Sequence, residues 1–365
     1  MLQKLTTSLG IATLMVAVPL QVEAVGLTNR FNNIYVFGDS LSDTGNVSEL
    51  TQNIFPPTPY QDGRFSNGDV WIDYLARDLG LASPTPLAAL TPQNPPNNGI
   101  NFAFGGATTG TANTIDSQFP GVQGQVQRFG SLSTVGVPVD PNGLHILWAG
   151  ANDYLPTESN FEPYLSPDVP VRNLESTITN LANLGAKNFL VANLPDLGKT
   201  PLALGYDEDN RQDSKGHNSS ALDPTEIDVS QRLDRLTRSH NQQLSQSLAT
   251  LRSQLGSEVT IAEFDVNAAF NEVLGNPANF GFSNVTDPCI FSGMCAVDPT
   301  QQEQYFFWDN THPTTRGHEI TANYALAGLT KEFSQPKPVP EGYPLLGIIA
   351  VGLGCVGGAL RRQVR

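Results

Sequence analysis

Six short apolar runs alternate with amphipathic stretches along this chain, and no other feature limits its folding as severely. The runs lie at 33–37, 100–104, 144–149, 188–193, 258–264 and 304–308. Each has the length of a strand rather than of a helix. Between most of them apolar residues recur at helical spacing: Val70, Ile72, Leu75, Ala76 and Leu79; then Leu174, Ile178, Leu181 and Leu184 within 171–184. A long stretch at 227–255 carries Leu233, Leu236, Leu244, Leu248, Leu251 and Leu255, and 314–333 closes the pattern. Strands alternating with helices predict βαβ units, and hence a three-layer α/β/α domain around a mostly parallel sheet of about five strands.

The 39% hydrophobic content supplies a core for such a domain, and the 20 basic residues against 35 acidic ones, net −15, exclude nucleic acid as a partner. Both ends read as addresses rather than fold. Residues 1–24 combine Lys4, an apolar stretch from Leu9 to Leu20 and the small-residue site Val22-Glu23-Ala24, which predicts a signal peptide cleaved after Ala24. The domain then spans 25–333, and 334–344 is a Pro-rich linker. Residues 345–365 hold an apolar segment, Leu345 to Leu360, before Arg361 and Arg362. A segment of this length is at the short limit for spanning a bilayer, and terminal arginines fit its cytoplasmic side. This tail resembles a PEP-CTERM sorting signal, with Pro340-Glu341-Gly342 where Pro-Glu-Pro is usual, or else it is an ordinary C-terminal anchor. Together the ends predict an exported protein of the cell envelope or exterior, with sorting machinery as a partner of the tail. In that setting Cys289 and Cys295 are a disulfide candidate, whereas Cys355 packs in the apolar tail or carries a lipid. Three stretches break the rhythm: 81–99, too rich in Pro and Asn for regular structure; the polar 201–225; and 275–303, which holds the two cysteines.

The chemistry starts at the first run. Ile34-Tyr35-Val36-Phe37 leads into Gly38-Asp39-Ser40-Leu41-Ser42-Asp43, so a serine leaves the carboxyl end of a strand, where open α/β sheets bind their ligands. A serine needs a base to act as a nucleophile. Trp308-Asp309-Asn310-Thr311-His312-Pro313 offers one, with a carboxylate three residues away to orient the ring. Oxyanion donors are predicted at two further strand ends, Asn101 to Ala107 with its Gly105-Gly106 pair, and Leu147 to Asp153 with the amide of Asn152. Ser40 is not within Gly-x-Ser-x-Gly, so this is not a nucleophile elbow.

These blocks, in this order, resemble the GDSL family of the SGNH hydrolase superfamily. Gly63 to Gly68 and Leu194 to Gly198 add to the likeness, which covers most of 33–330. The resemblance implies Ser40 as nucleophile, His312 as base and Asp309 as third member of a triad. It implies an oxyanion hole from the N–H of Ser40, the N–H of Gly106 (or of its neighbour Gly105) and the side chain of Asn152. It further implies a flavodoxin-like strand order 2-1-3-4-5, a small-molecule or lipid ester as substrate, and no metal or organic cofactor. Acyl transfer, carbohydrate deacetylation with the same triad, and a noncatalytic envelope module are the alternatives.

Other polar residues are expected to be structural. Asp43 ties its loop by hydrogen bonds. His145 is a core histidine, His240 sits exposed on the long helix, His318 is a bystander and His217 lies in the polar stretch. Trp71 and Trp148 belong to the core. Asn46, Asn218 and Asn284 match the Asn-x-Ser/Thr acceptor pattern, but no sugar is expected on them.

Overall fold

The structure is a computed structural model and describes residues 27–134, 139–157, 159–205 and 228–334. The expected signal peptide, the linker beyond 334, the tail with Cys355, and His217 and Asn218 lie outside the described residues.

The sheet contains β1 (Ile34–Gly38), β2 (Thr85–Pro86), β3 (Gly99–Asn101), β4 (Leu144–Trp148), β5 (Asn188–Ala192) and β6 (Thr260–Phe264), all paired in parallel. Its order is β2-β3-β1-β4-β5-β6. Without the edge strand β2 this is the expected 2-1-3-4-5, so the sheet has six strands rather than five. The extra strand comes from 81–99, where no regular structure was expected. Two residues suffice there because Thr85 and Pro86 pair with Ile100 and Asn101 only, and a proline is tolerated on an edge.

The run 304–308 is not a strand. It makes two isolated bridges, Asn284 with Tyr305 and Phe307 with Pro313. Its apolar character serves two separate clusters instead. Phe306 and Phe307 pack with Phe270, Val273 and Ile320, while Trp308 packs on the Cys289–Cys295 disulfide.

After β1 comes the short α1 (Asn46–Leu50), and longer helices cover both faces. The period-2 alternation of β1 sends Ile34 and Val36 to one side and Tyr35 and Phe37 to the other. The first side is covered by α2 (Trp71–Asp78) and by Thr315–Phe333, the last helix. On the second side lie α3 (Val122–Thr134), α4 (Asp168–Asn183) and α5 (Val229–Leu255). After β6 comes α6 (Val266–Gly275), then the short α7 (Pro299–Gln302) and the last helix, α8. The sequence pattern predicted α2, α4, α5 and α8 within a few residues. Among the described residues no helix is long and apolar enough to cross a membrane.

His240 departs from expectation. It is buried on α5, with its Nδ1 2.8 Å from the Tyr154 hydroxyl. Four residues after Leu236 and four before Leu244, it continues the buried stripe of the helix. Burial lowers its pKa to about 3, so it is neutral. His145 is buried and stacked on Tyr35, as a core histidine should be.

Candidate active site

The carboxyl ends of β1, β3 and β4 meet at one cavity of about 460 Å³. Gly38 ends β1 where a Cβ would stand 2.4 Å from the Trp148 carbonyl oxygen, so only glycine lets β1 and β4 approach this closely. The chain then turns, the amides of Ser42 and Asp43 both donating to the Asp39 carbonyl at 3.0 Å. That turn presents Ser40 to the cavity.

The histidine arrives from the other end of the chain. Nε2 of His312 lies 2.7 Å from Ser40 Oγ, and Nδ1 lies 2.6 Å from Asp309 Oδ2. A carboxylate only accepts, so the ring proton sits on Nδ1 and Nε2 accepts from the Ser40 hydroxyl. Asp309 Oδ1 takes the backbone N–H groups of Thr311 (2.8 Å) and His312 (2.7 Å), which folds the carboxylate onto its own histidine within one turn. Burial alone would raise the Asp309 pKa. The charge of His312 and the hydrogen bonds from His312, Tyr60 and Thr311 outweigh it and hold the carboxyl down at about 2. Burial works the opposite way on His312, and there Asp309 wins, so the imidazole pKa is raised. Asp39, fully buried beside the serine, is pushed up to about 6 by burial, against an N–H from Leu41 and the charge of His312.

The block Gly63–Gly68 anchors this histidine loop. Phe65 lies 5.5 Å from the His312 ring, Ser66 Oγ donates to the Pro313 carbonyl at 2.9 Å, and Asn67 Oδ1 accepts from the first amide of α8, Thr315, at 2.8 Å. Thr314 caps the same helix, accepting from Gly317 N.

The donor block is equally well tied. Asn101 Nδ2 donates to the Ser42 carbonyl at 2.7 Å, and Asn46 Nδ2 reaches the carbonyls of Asn101 and Ala103 at 2.8 Å. Asn46 is therefore buried and no acceptor for sugar. Asp43 ties its loop as expected, accepting from Gly45, Asn46 and Val47, and it also accepts from Gly105 N at 2.9 Å. That last bond separates the two glycines. The Gly105 N–H is spent on Asp43, whereas Gly106 lines the cavity and its N–H has no partner among the described residues. Gly106 has φ +76, and a Cβ there would meet Ile115 N at 2.9 Å. Asn152 also lines the cavity, giving one amide N–H to the Ala107 carbonyl at 3.1 Å and keeping the second.

Ser40, Gly106, Asn152, Asp309 and His312 thus line one cavity. The histidine block does not follow a strand, contrary to expectation. Its position comes from the bridges and clusters of 304–313. His318 does not line the cavity; it is buried and kept neutral, its pKa lowered to about 3 by burial. Two contributors carry no sequence signal of their own. Tyr60, in a proline-rich loop, donates to Asp309 Oδ2 at 2.7 Å. Gln125 of α3 bonds both the N–H (2.9 Å) and the carbonyl (2.8 Å) of Gly38, acting as a strand partner at the end of β1. Trp148 is buried as expected and also forms part of the cavity wall. Among the described residues no group of three or more His, Cys, Asp or Glu is arranged to hold a metal ion.

Comparison with known proteins places these residues in context. The sequence profile of the family described as GDSL-like Lipase/Acylhydrolase matches residues 34–325. A phosphatidylcholine-sterol acyltransferase of Aeromonas hydrophila is 29% identical, over 87% of this chain and 95% of that protein. A thermolabile hemolysin of Vibrio parahaemolyticus is also 29% identical, over 82% of this chain, which spans 64% of the hemolysin's length. A GDSL esterase/lipase of Arabidopsis thaliana is 26% identical, over 81% of this chain and 89% of the plant protein.

Proposed function

Because this chain belongs to the GDSL-like lipase/acylhydrolase family and is a hydrolase acting on ester bonds, we propose that Ser40 is its nucleophile, His312 its general base and Asp309 the group that orients and charges the base. The observation that carries this reading is the unbroken line of short contacts from Ser40 Oγ through His312 to Asp309. Attack by Ser40 Oγ on the ester carbonyl transfers its proton to Nε2. Asp309, ionised at all ordinary pH values, stabilises the imidazolium. The developing oxyanion is met by the N–H groups of Ser40 and Gly106 and by the second amide N–H of Asn152. His312 next protonates the departing alcohol, and then draws a proton from the water that releases the acid. Every proton in this cycle moves through one ring nitrogen.

A fluorophosphonate tests the assignment directly. It is expected to label the wild-type chain at Ser40 and to leave Ser40→Ala unlabelled, with turnover of a soluble aryl ester down by roughly 10⁴ or more and an unchanged melting temperature. Normal turnover by the alanine variant would overturn it.

Acyl transfer to an alcohol is a second reading, favoured by the relative named as an acyltransferase, which aligns over nearly its whole length. Adding a free alcohol and measuring how product divides between acid and new ester separates the two. Export also belongs to this proposal. It is supported by the apolar stretch and small-residue site at 9–24 and by the disulfide joining Cys289 and Cys295.

A further inference from the structure

Gly106 and Asn152 sit on loops that the sheet does not join. Gly106 follows β3 and Asn152 follows β4, and each of these strands pairs with β1 rather than with the other. Ser40 leaves the end of β1, the strand between them. No ladder bond therefore fixes the separation of the two loops. It is set by side chains that cross from one loop to the other.

Asp153 makes that crossing. Its Oδ2 accepts from the backbone N–H of Thr109 at 2.8 Å, and its Oδ1 accepts from the Thr109 hydroxyl at 2.7 Å. Both residues are fully buried. Thr109 Oγ1 in turn accepts from Asn173 Nδ2 of α4 at 3.1 Å, and Asn173 Oδ1 accepts from Gln123 Nε2 of α3 at 3.0 Å. The bridge is thus anchored in two helices. Burial pushes the Asp153 carboxyl up to about 7 against the two bonds from Thr109, and the charge of Asp39 adds to the rise. The neutral acid keeps both bonds, because its Oδ1 can then donate to Thr109 Oγ1.

The two loops depend on this bridge unequally. The Gly106 loop is held by bonds of its own. Asn113 Nδ2 donates to the Gly105 carbonyl and the Thr114 amide to the Gly106 carbonyl, both at 2.8 Å, while Asp43 holds the Gly105 amide. Asn152 has one side-chain bond, to the Ala107 carbonyl, and lies in the three-residue turn Ala151–Asp153. Asp153 is its immediate neighbour, so the carboxyl that grips Thr109 also fixes the Asn152 backbone.

We propose that Asp153 is a positioning residue, which through Thr109 holds the Asn152 amide at the spacing from the Gly106 N–H that the developing oxyanion requires. The inference rests on the reading of Asn152 as an oxyanion donor. Such donors must stay within about 0.5 Å of their working geometry, and buried supporting hydrogen bonds are what keep them there.

The test is steady-state kinetics of the full chain on p-nitrophenyl acetate, with Asp153→Ala, Asp153→Asn and Thr109→Val, each alone and combined with Asn152→Ala. Asp153→Ala is expected to lower kcat by roughly 10- to 100-fold with KM little changed. Asp153→Asn can accept from the Thr109 amide and donate to its hydroxyl oxygen, so it should keep most of the wild-type kcat. In the Asn152→Ala background the loss from Asp153→Ala should nearly vanish, because the donor it positions is gone. If Asp153→Ala does not fold, Thr109→Val removes one of the two bonds with the side-chain shape retained, and the same cycle reads it. Losses that multiply with that of Asn152→Ala, a change in KM alone, or a wild-type kcat in the folded variant overturns the proposal. A wild-type kcat in Asn152→Ala itself overturns the donor reading, and the proposal falls with it. Should the wild type leave the ester intact, the rate of fluorophosphonate labelling replaces kcat in the same cycle. No labelling of the wild type overturns the reading of Ser40 and this proposal together.

Discussion

The hydroxyl of Tyr60 donates to Asp309 Oδ2 at 2.7 Å, and that oxygen also holds His312 Nδ1 at 2.6 Å. The two residues are 249 positions apart. Tyr60 is packed against Trp308 (ring centroids 6.2 Å apart), which in turn rests on the Cys289–Cys295 disulfide. The carboxylate is thus held by a shell assembled from three remote segments. Burial beside Asp309 raises the Tyr60 pKa, so its hydroxyl remains a donor.

Removing that donor is expected to move both the rate and its pH dependence. Tyr60→Phe keeps the ring and its packing but leaves the full Asp309 charge to His312. A hydrogen bond to a charged group is worth ~1.5 kcal/mol, or about tenfold in kcat/KM. The apparent pKa of the acidic limb should rise, because the imidazolium gains what the tyrosine gave up. A pH–rate profile reads both effects, and a rate and pKa that both stay unmoved would mean that Tyr60 only packs.

For the wild type, the pH dependence follows from the proposed role of His312 as base. His312 must be neutral to accept a proton, and its pKa lies above the ordinary 6.5. Activity should therefore rise with pH through a midpoint above 6.5, with Asp309, held at about 2, contributing no limb in that range. The sign is opposite for stability. A raised histidine contributes fully below 6.5 and loses that contribution as pH rises through its folded value. Melting temperatures of wild type and His312→Gln, compared from pH 5 to 9, should converge at the alkaline end.

Asn152→Ala should lower kcat by roughly 10²–10³ with little change in KM, as removal of one oxyanion donor does elsewhere. The bond from Asn152 to the Ala107 carbonyl offers a structural role instead, and an unaltered kcat would leave it with that role alone. Steady-state kinetics on a soluble ester decide between them.

Arg64 and Arg77 give a matched pair for stability. Arg64 holds the buried carboxylate of Asp73 through two bonds, at 2.7 and 2.9 Å, next to the anchor residues Phe65 to Asn67. Arg64→Ala strands that charge and should cost ~3 kcal/mol or more in urea unfolding, with activity falling as Phe65 loosens. The Arg77–Asp69 pair is as short, 2.6 Å, but its side chains are 62% and 42% exposed. Arg77→Ala should cost less than ~1 kcal/mol.

The amino-acid sequence alone determined most of the elements and the residues proposed as reactive groups. Strand and helix periodicities are local, so five of the six strands, helices α2, α4, α5 and α8, and the Asp309–His312 turn could all be read from neighbouring residues. The blocks around Ser40, Gly106 and Asn152 were legible because small or polar residues interrupt apolar runs at strand ends. Tertiary structure decided whatever depends on a partner distant in the chain. The apolar run 304–308 packs on helices and a disulfide rather than joining the sheet. His240 is buried because α5 turns its whole stripe inward. Asp43 takes the amide of Gly105 and leaves that of Gly106, a cavity-lining residue, without a partner among the described residues. Tyr60 reaches Asp309, and 272 residues of chain close between Ser40 and His312. The physical reason is that periodicity records which face of an element is apolar. What covers that face, and which donor is left over once the buried acceptors are satisfied, is set only when all the layers pack together.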